Sequence, residues 1–480
     1  PHHTQERVLR YLLAQGAQTQ FGRDHGLSAE MDYEQFRKQV PVYDYPTFQP
    51  YIDQMLQGNK HVAWPGRVRW FAMSSGTTGG RSKFLPITPE GLKHCHYKAG
   101  QDVYAIYYHL NPKARVITGK NLVLGGSHQV NQLNQFSRYG DLSAVLLQNL
   151  PAWARVKRTP RLQTALMGDW EAKIEQIAHE TYEQDVTSLL GVPTWTVVLI
   201  EHLFQLTGKD NLADIWPNLE LYIHGGVSFE PYRALFRQLI EKADMHYLET
   251  YNASEGFFGI QDQWATNDLL LLLDHGIFFE FIPQDTAAAE PVPLWDVRPD
   301  RHYAIVITTN SGLWRYKIGD TVRFISTNPY RFRITGRTQH FINTFGEEVI
   351  VENAERAIAK ACEETNSVVN DFTAGPVYFE RGQQGTHEWL IEFEAKPEDL
   401  SRFRDALDQA LQAENSDYAA KRYKGMALAP PRIRCFEQGT FYRWMKARNK
   451  LGGQHKVPRL ANHRDFLDDL LQFRSAVASA

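Results

Sequence analysis

A chain of 480 residues, 43% of them hydrophobic and 22% charged, exceeds what one core usually encloses, which predicts two or more domains and argues against large-scale disorder. Its 52 basic and 55 acidic side chains leave a net charge of -3, giving no broad attraction to nucleic acid or an anionic bilayer. Three cysteines set far apart, Cys95, Cys362 and Cys435, argue against a disulfide framework or a cysteine zinc site and point to a reducing, cytoplasmic compartment.

The longest apolar runs, around Leu189 to Ile200 and Leu269 to Leu273, are too short and too interrupted to cross a bilayer. Pro1 to Thr4 show neither the basic nor the apolar region of a secretory signal. Neither membrane nor nucleic acid is expected as a partner, and the chain is read as a monomer.

In chain order, Val8, Leu9, Leu12 and Leu13 recur at helical spacing and predict an entry helix from Gln5 to Ala17. From Val116 to Leu272, β-rich runs such as Asn121 to Leu124 and Leu221 to Ile223 alternate with amphipathic stretches such as Leu235 to Ala243, the pattern of an α/β body. A strand is predicted at Met245 to Leu248. A stronger one, Tyr303 to Thr309, turns at Ser311-Gly312 into Leu313 to Lys317 as a closing hairpin. Beyond Gly336 the texture shifts to a helix at Glu352 to Glu363, a strand at Trp389 to Phe393 and a helix at Leu400 to Leu411. The expected fold class is α/β, with a large domain over residues 1–336 and a smaller α+β domain over 337–480.

Four segments carry chemistry. Ser74-Ser75-Gly76-Thr77-Thr78-Gly79-Gly80-Arg81-Ser82-Lys83 exposes backbone amides on small residues, adds hydroxyl donors and ends in cations, a composition suited to a polyphosphate. It lacks the Gly-Lys-Ser/Thr ending of a Walker loop, and the chain has no Gly-x-Gly-x-x-Gly, which disfavours P-loop kinases and dinucleotide dehydrogenases. In Tyr251-Asn252-Ala253-Ser254-Glu255-Gly256 a carboxylate follows a strand among small residues, where a hard cation is at home. Asp320, after Gly319, can accept hydrogen bonds from ribose hydroxyls, or act as a turn aspartate. Gly336-Arg337-Thr338-Gln339 is either part of the site or a plain interdomain linker.

The succession Ser-Ser-Gly-Thr-Thr-Gly, Tyr-x-x-Ser-Glu-Gly, Tyr-x-x-Gly-Asp and Gly-Arg-Thr resembles the adenylate-forming superfamily of acyl-CoA synthetases, luciferases and peptide-synthetase adenylation domains. Within it, Gln20 to Arg23, Val40 to Tyr45, Ala253 to Gly259, Tyr316 to Asp320 and Gln454 to Arg459 are similar to the auxin-responsive family of acyl acid amido synthetases. That family conjugates plant hormones such as indole-acetic acid and jasmonate and also occurs in bacteria. The resemblance covers nearly the whole chain and implies a large multi-sheet adenylate-forming N-terminal domain with a small mobile C-terminal one.

The resemblance implies a reaction and a site. ATP and Mg²⁺ are the expected cofactors, and a small carboxylic acid and an amino acid the substrates. Ser74, Ser75, Thr77, Thr78 and Lys83 are placed on the phosphates, Gly225, Gly226, Tyr251 and Ser254 about the nucleotide, Glu255 on Mg²⁺, Asp320 on the ribose and Arg337 on the ribose or phosphate. Lys456 resembles the small-domain lysine that swings in during adenylation and, with Glu255 and Lys83, makes the catalytic set. From their position, Val123, Thr194 and Trp195 are candidates for the acid pocket. Arg81-Ser82-Lys83-Phe84 stands where many CoA ligases carry Pro-Lys-Gly, which makes CoA a less expected acceptor. An acyl-CoA ligase and a noncatalytic acid-binding protein are the alternatives. For deprotonating the amine, His224, His455 and water are all candidates.

Overall fold

The computed structural model describes residues 1–74, 83–125, 130–264, 266–285, 289–337, 341–380, 383–425, 427–448 and 458–478. Its frame is a twelve-stranded mixed sheet. From one edge the strands run Val292–Pro293, Ile277–Pro283, His302–Thr309, Tyr316–Thr327, Tyr330–Arg337, Leu269–Leu271, Gly256–Gln261, His246–Ala253, Leu221–Gly225, Val186–Leu190, Lys120–Val123 and Arg158–Thr159. Pairing is antiparallel up to His246–Ala253 and parallel from there on. The change of hand follows the connections. Short turns join neighbours in the antiparallel part, whereas helices such as Pro193–Thr207 and Glu230–Leu239 cross over between parallel strands.

A separate four-stranded sheet contains the hairpin Trp70–Ser74 and Lys83–Ile87. The C-terminal region packs Val351–Thr365 and Leu400–Glu414 against a three-stranded sheet of Val368–Val377, Thr386–Ala395 and Arg432–Phe436. The large sheet ends at Arg337 and the described chain resumes at Phe341, which begins a two-stranded sheet with Val349–Ile350, yet packing does not stop there. One buried cluster joins Leu122, Leu189 and Trp195 to Ile342, Phe345 and Trp389.

Several elements differ from expectation. The helix expected at Leu235 to Ala243 is Glu230–Leu239, because Pro231 suits a first helical turn. The strand expected at Met245 to Leu248 runs on to Ala253, carrying Tyr251 into the sheet. His94, Cys95 and His96 lie in a π-helical turn, with Cys95 and His96 buried. The closing hairpin begins its second strand only at Tyr316, since Trp314 and Arg315 belong to a tight turn.

That turn is held by a buried ion pair. Arg315 has φ +40, uncommon for a side-chain-bearing residue. Its Nε and Nη2 donate to Glu280 at 2.8 and 2.7 Å, and Nη1 donates to the carbonyls of Arg37 and Val40 at 2.9 and 2.6 Å. Its own amide donates to Thr308 Oγ1 at 3.0 Å, and its carbonyl accepts from Tyr43 at 2.9 Å. Tyr33 adds a hydrogen bond to Glu280 at 3.0 Å. A pair this buried is costly to break from one side, because the remaining charge has no solvent. Glu280→Leu should lower unfolding free energy by about 3–5 kcal/mol. Arg404→Ala, which removes a half-exposed pair with Asp405, should cost under about 1 kcal/mol. Urea denaturation of both variants checks this, and equal losses would remove the buried pair from its structural role.

Candidate active site

The strands His246–Ala253 and Gly256–Gln261 pair as a hairpin with Ala253 opposite Gly256, so Ser254 and Glu255 form its two-residue tip. Glu255 is therefore presented at a sheet end, half-buried, as a tight turn requires. The π-helical turn packs behind it, where the Phe257 amide donates to Cys95 Sγ at 3.3 Å. Burial pushes the Cys95 thiol up to about 12, so it is a neutral packing group. Burial holds His96 down at about 4, and its Nδ1 has no hydrogen-bond partner among the described residues.

Tyr251, on the same hairpin, donates its hydroxyl to Asp320 Oδ2. Three strands separate the two residues in the sheet. The intervening Leu269–Leu271 pairs with Arg331 and Phe332, away from the Arg337 end of its neighbour, and a long tyrosine side chain spans the gap. Asp320 stands opposite Arg337 in the ladder, and Thr321 opposite Gly336. The glycines before Asp320 and Arg337 have φ +95 and +135. Side chains rarely adopt those conformations, which is the physical content of the Gly-Asp and Gly-Arg pairs.

The parallel part supplies the next wall. Gly225 ends its strand opposite Thr250, one residue before Tyr251. Gly226 follows, its carbonyl accepting from Asn343 Nδ2 at 3.1 Å. On the smaller sheet, Ser74 pairs with Lys83, so the two close the hairpin that carries the candidate phosphate segment. Lys83 Nζ lies 5.6 Å from the centre of the Tyr45 ring. Tyr43, two residues earlier, bridges to Tyr316 at the start of the Asp320 strand. Ser75, Thr77, Thr78 and Lys456 lie outside the described residues, as does His455.

The candidates for the acid pocket face the small lobe. Thr194 is fully buried, its hydroxyl 3.1 Å from the Tyr232 hydroxyl and donating to the Phe345 carbonyl at 3.0 Å. Trp195, also buried, has Lys421 Nζ 4.0 Å above its ring. Val123 is half-buried at the carboxyl end of its strand, opposite Leu190, where parallel sheets open their crevices. Asn343 had no assigned role, yet its side chain reaches Gly226 and its amide bonds Asn462 Oδ1, five residues beyond the segment containing Lys456. The lone Asn in a presumed linker carried no signal stronger than its polarity.

Electrostatics separates the basic candidates. His224 is buried and stacks 4.0 Å from Phe229. Burial, then the charge of Arg233, pushes it down to about 3, so it is a weak proton acceptor at neutral pH. Glu249, its ladder partner, moves the other way. Burial and then Glu230 push its carboxyl up to about 7 from an ordinary 4.5, against the pull of Arg233. The folded state thus binds this proton more tightly than the unfolded chain. Its contribution is fully present below pH 4.5 and is lost as pH rises through about 7. Glu249→Gln should leave the melting temperature nearly unchanged at pH 4 and raise it by several degrees at pH 8. Equal values at pH 8 would show that the carboxyl is not held above its ordinary range.

Among the described residues, no three His, Cys, Asp or Glu side chains gather as a metal cage. A single carboxylate such as Glu255 suits Mg²⁺, which usually keeps several waters and shares its shell with substrate phosphates.

Comparison with known proteins identifies the family. The GH3 family N-terminal domain matches residues 1–245, its central domain 270–337 and its C-terminal domain 352–465. A jasmonoyl–L-amino acid synthetase of Oryza sativa subsp. japonica is 24% identical, over 95% of this chain and 92% of that protein. An indole-3-acetic acid-amido synthetase of Arabidopsis thaliana is 22% identical, over 97% and 90%. Among solved structures, the AtGH3.15 acyl acid amido synthetase in complex with 2,4-DB shares the fold with a TM-score of 0.63 at 20% identity, covering 98% of this chain and 93% of that one. A 2-hydroxyisobutyryl-CoA ligase in its thioesterification state does so with 0.56 at 14% identity, covering 100% and 92%. With its α/β body, its smaller C-terminal region and matches to all three parts of one family, this chain belongs to the GH3 family.

Proposed function

We propose that the chain is an ATP-dependent acyl acid amido synthetase, a ligase forming carbon-nitrogen bonds through an acyl-adenylate. The observation that carries the reading is the meeting of Tyr251 with Asp320, which brings the Glu255 hairpin and the Asp320–Arg337 ladder to one sheet end beside Gly225. A nucleotide needs that combination, in which a ribose acceptor and a carboxylate for its metal stand beside an open backbone edge.

The chemistry divides into two steps. In the first, the acid's carboxylate oxygen attacks the α-phosphorus of ATP and the bond to pyrophosphate breaks, leaving a mixed anhydride with AMP. Lys83, which pairs with Ser74 at the mouth of that hairpin, would offset charge on the phosphates. Bound Mg²⁺, held by Glu255, would supply further charge stabilisation there. In the second step the neutral amine of an amino acid attacks the acyl carbon, AMP leaves as the anion, and the amine's proton passes to a base. The weak basicity of buried His224 favours His455 or water for that proton.

Lys456 belongs to the first step in this reading, brought in by the small domain of residues 337–480 moving against 1–336. Such a movement releases the hydrogen bonds that Phe345 and Asn343 make to Thr194 and Gly226.

The reaction is tested by assaying ATP, Mg²⁺ and a panel of acids and amines for released pyrophosphate and product mass. AMP, pyrophosphate and an amide are expected. ADP and orthophosphate would overturn the adenylate, and a thioester in the presence of CoA would replace the amide reading by the ligase one. Asp320→Ala should raise the KM for ATP roughly 10- to 100-fold, the scale of hydrogen bonds to a charged group, with a smaller effect on the acid. Lys456→Ala should lose on the order of 10² to 10³ in rate from ATP and free acid, yet retain much of its amide synthesis from a synthetic acyl-adenylate. Equal losses in both assays would detach Lys456 from adenylation.

A further inference from the structure

Lys421 lies in the last turn of the helix Ser416–Arg422 and is 6% exposed. Its Nζ stands 4.0 Å from the centre of the Trp195 ring, which attracts a cation but offers no lone pair in line. Among the described residues no oxygen accepts a hydrogen bond from it, although an ammonium carries three donors. The adjacent Arg422 shows the ordinary solution. Its Nε and Nη2 donate to Asp408 at 2.8 and 2.7 Å, and its Nη1 to the Leu428 carbonyl at 2.6 Å. A largely buried cation with no protein oxygen to accept from it is costly, and native structures rarely keep one without a use.

The acids that face Lys421 do not close that gap. Burial holds its ammonium down at about 8, and Asp417, Glu347 and Asp141, in that order, pull it partly back. Glu347 already accepts from the Phe345 amide at 2.7 Å and lies 2.8 Å from His387 Nε2. The ammonium is therefore still charged at neutral pH, and among the described residues no oxygen accepts from it.

Its surroundings say what fits. A Cβ on Gly346 would sit 3.4 Å from Nζ and 3.7 Å from Val192 Cγ1, so Gly346 lies between the ammonium and the Val192 corner of the large lobe, and a Cβ on Gly226 would meet the same Val192 at 3.6 Å. The group belongs to the small lobe and looks onto the Val192 to Trp195 corner of the large one. In the reaction proposed above, the acid's carboxylate is consumed at the α-phosphorus, and the phosphate hairpin serves the nucleotide. The anion left over is the α-carboxylate of the amine acceptor, which persists unchanged into the product.

Resting on that reading, we propose that Lys421 binds the α-carboxylate of the acceptor amino acid in the seam between the lobes and so turns its amine toward the acyl-adenylate. Trp195 then serves as the platform that holds the cation.

The test compares an amino acid with its carboxamide as acceptor, in the parent enzyme and in Lys421→Met and Lys421→Arg. The parent should prefer the free amino acid by roughly tenfold or more in kcat/KM, the scale of a charged hydrogen bond. Lys421→Met should lose that preference through the KM for the amino acid, while the KM for ATP stays in place. Lys421→Arg should restore much of it. The thermal midpoint of Lys421→Met should hold or rise, since an apolar group of similar length relieves an unpaired buried cation. A rise in the KM for ATP would assign Lys421 to the nucleotide phosphates and overturn the proposal, as would equal losses with both acceptors. A parent enzyme with no preference overturns it without any variant. A parent that forms no amide from any amine overturns the amido synthetase reading and this assignment with it.

Discussion

The buried pair of Arg315 and Glu280 is the constraint on which the antiparallel part of the molecule rests. One guanidinium ties the strand Ile277–Pro283, the turn after His302–Thr309 and the carbonyls of Arg37 and Val40 into a single knot. Because Nε, Nη1 and Nη2 of Arg315 each donate in a fixed direction, the turn cannot slide, and the strand that leaves it starts in one register. Asp320 is five residues further on. Its placement against Tyr251 thus depends on a residue whose guanidinium is committed to Glu280 and two backbone carbonyls. Hydrophobic burial would hold these strands together without specifying that register, since apolar contacts are not directional.

The seam between the lobes is built differently. Its apolar part is shared, with Ile342 and Phe345 joining the cluster that contains Leu122 and Leu189. Its polar part consists of separate hydrogen bonds, from Thr194 and Tyr232 to the carbonyls of Phe345 and Thr344, and from Asn343 to Gly226. Individual hydrogen bonds of this kind contribute about 0.5–1.5 kcal/mol net. A contact of that character is firm enough to define one arrangement and modest enough to be shifted, which the proposed two-step reaction would use.

Charge near the site is managed by burial. His96, His224 and Cys95 are all kept neutral by exclusion from water. Of the charged groups, Asp320 has a phenol for a partner and Lys421 an indole face. Neutral surroundings raise the effect of the few charges that are kept, because less dielectric screening stands between them and a ligand.

Much of this was legible in the linear chain, for a local reason. Gly-Asp and Gly-Arg mark positive backbone angles, Ser-Glu between two β-rich runs marks a hairpin tip, and helical spacing marks the entry helix and the helices of the C-terminal region. Each depends on residues within one turn or one strand of each other. The order of motifs along the chain was enough to suggest the family. What the sequence did not show is everything that depends on separation. Tyr251 and Asp320 are 69 residues apart, Arg315 and Glu280 35, and Thr194 and Phe345 151. No spacing rule links such pairs, because their distance is set by how the sheet curls and how the lobes pack. For the same reason nothing local announced that Thr194 and Trp195, candidates for the acid pocket, meet Phe345 and Lys421 of the small lobe. The chain by itself determined which chemical groups are available, and only the tertiary structure decided which of them face one another and which, like Lys421 on the Trp195 ring, meet no oxygen acceptor among the described residues.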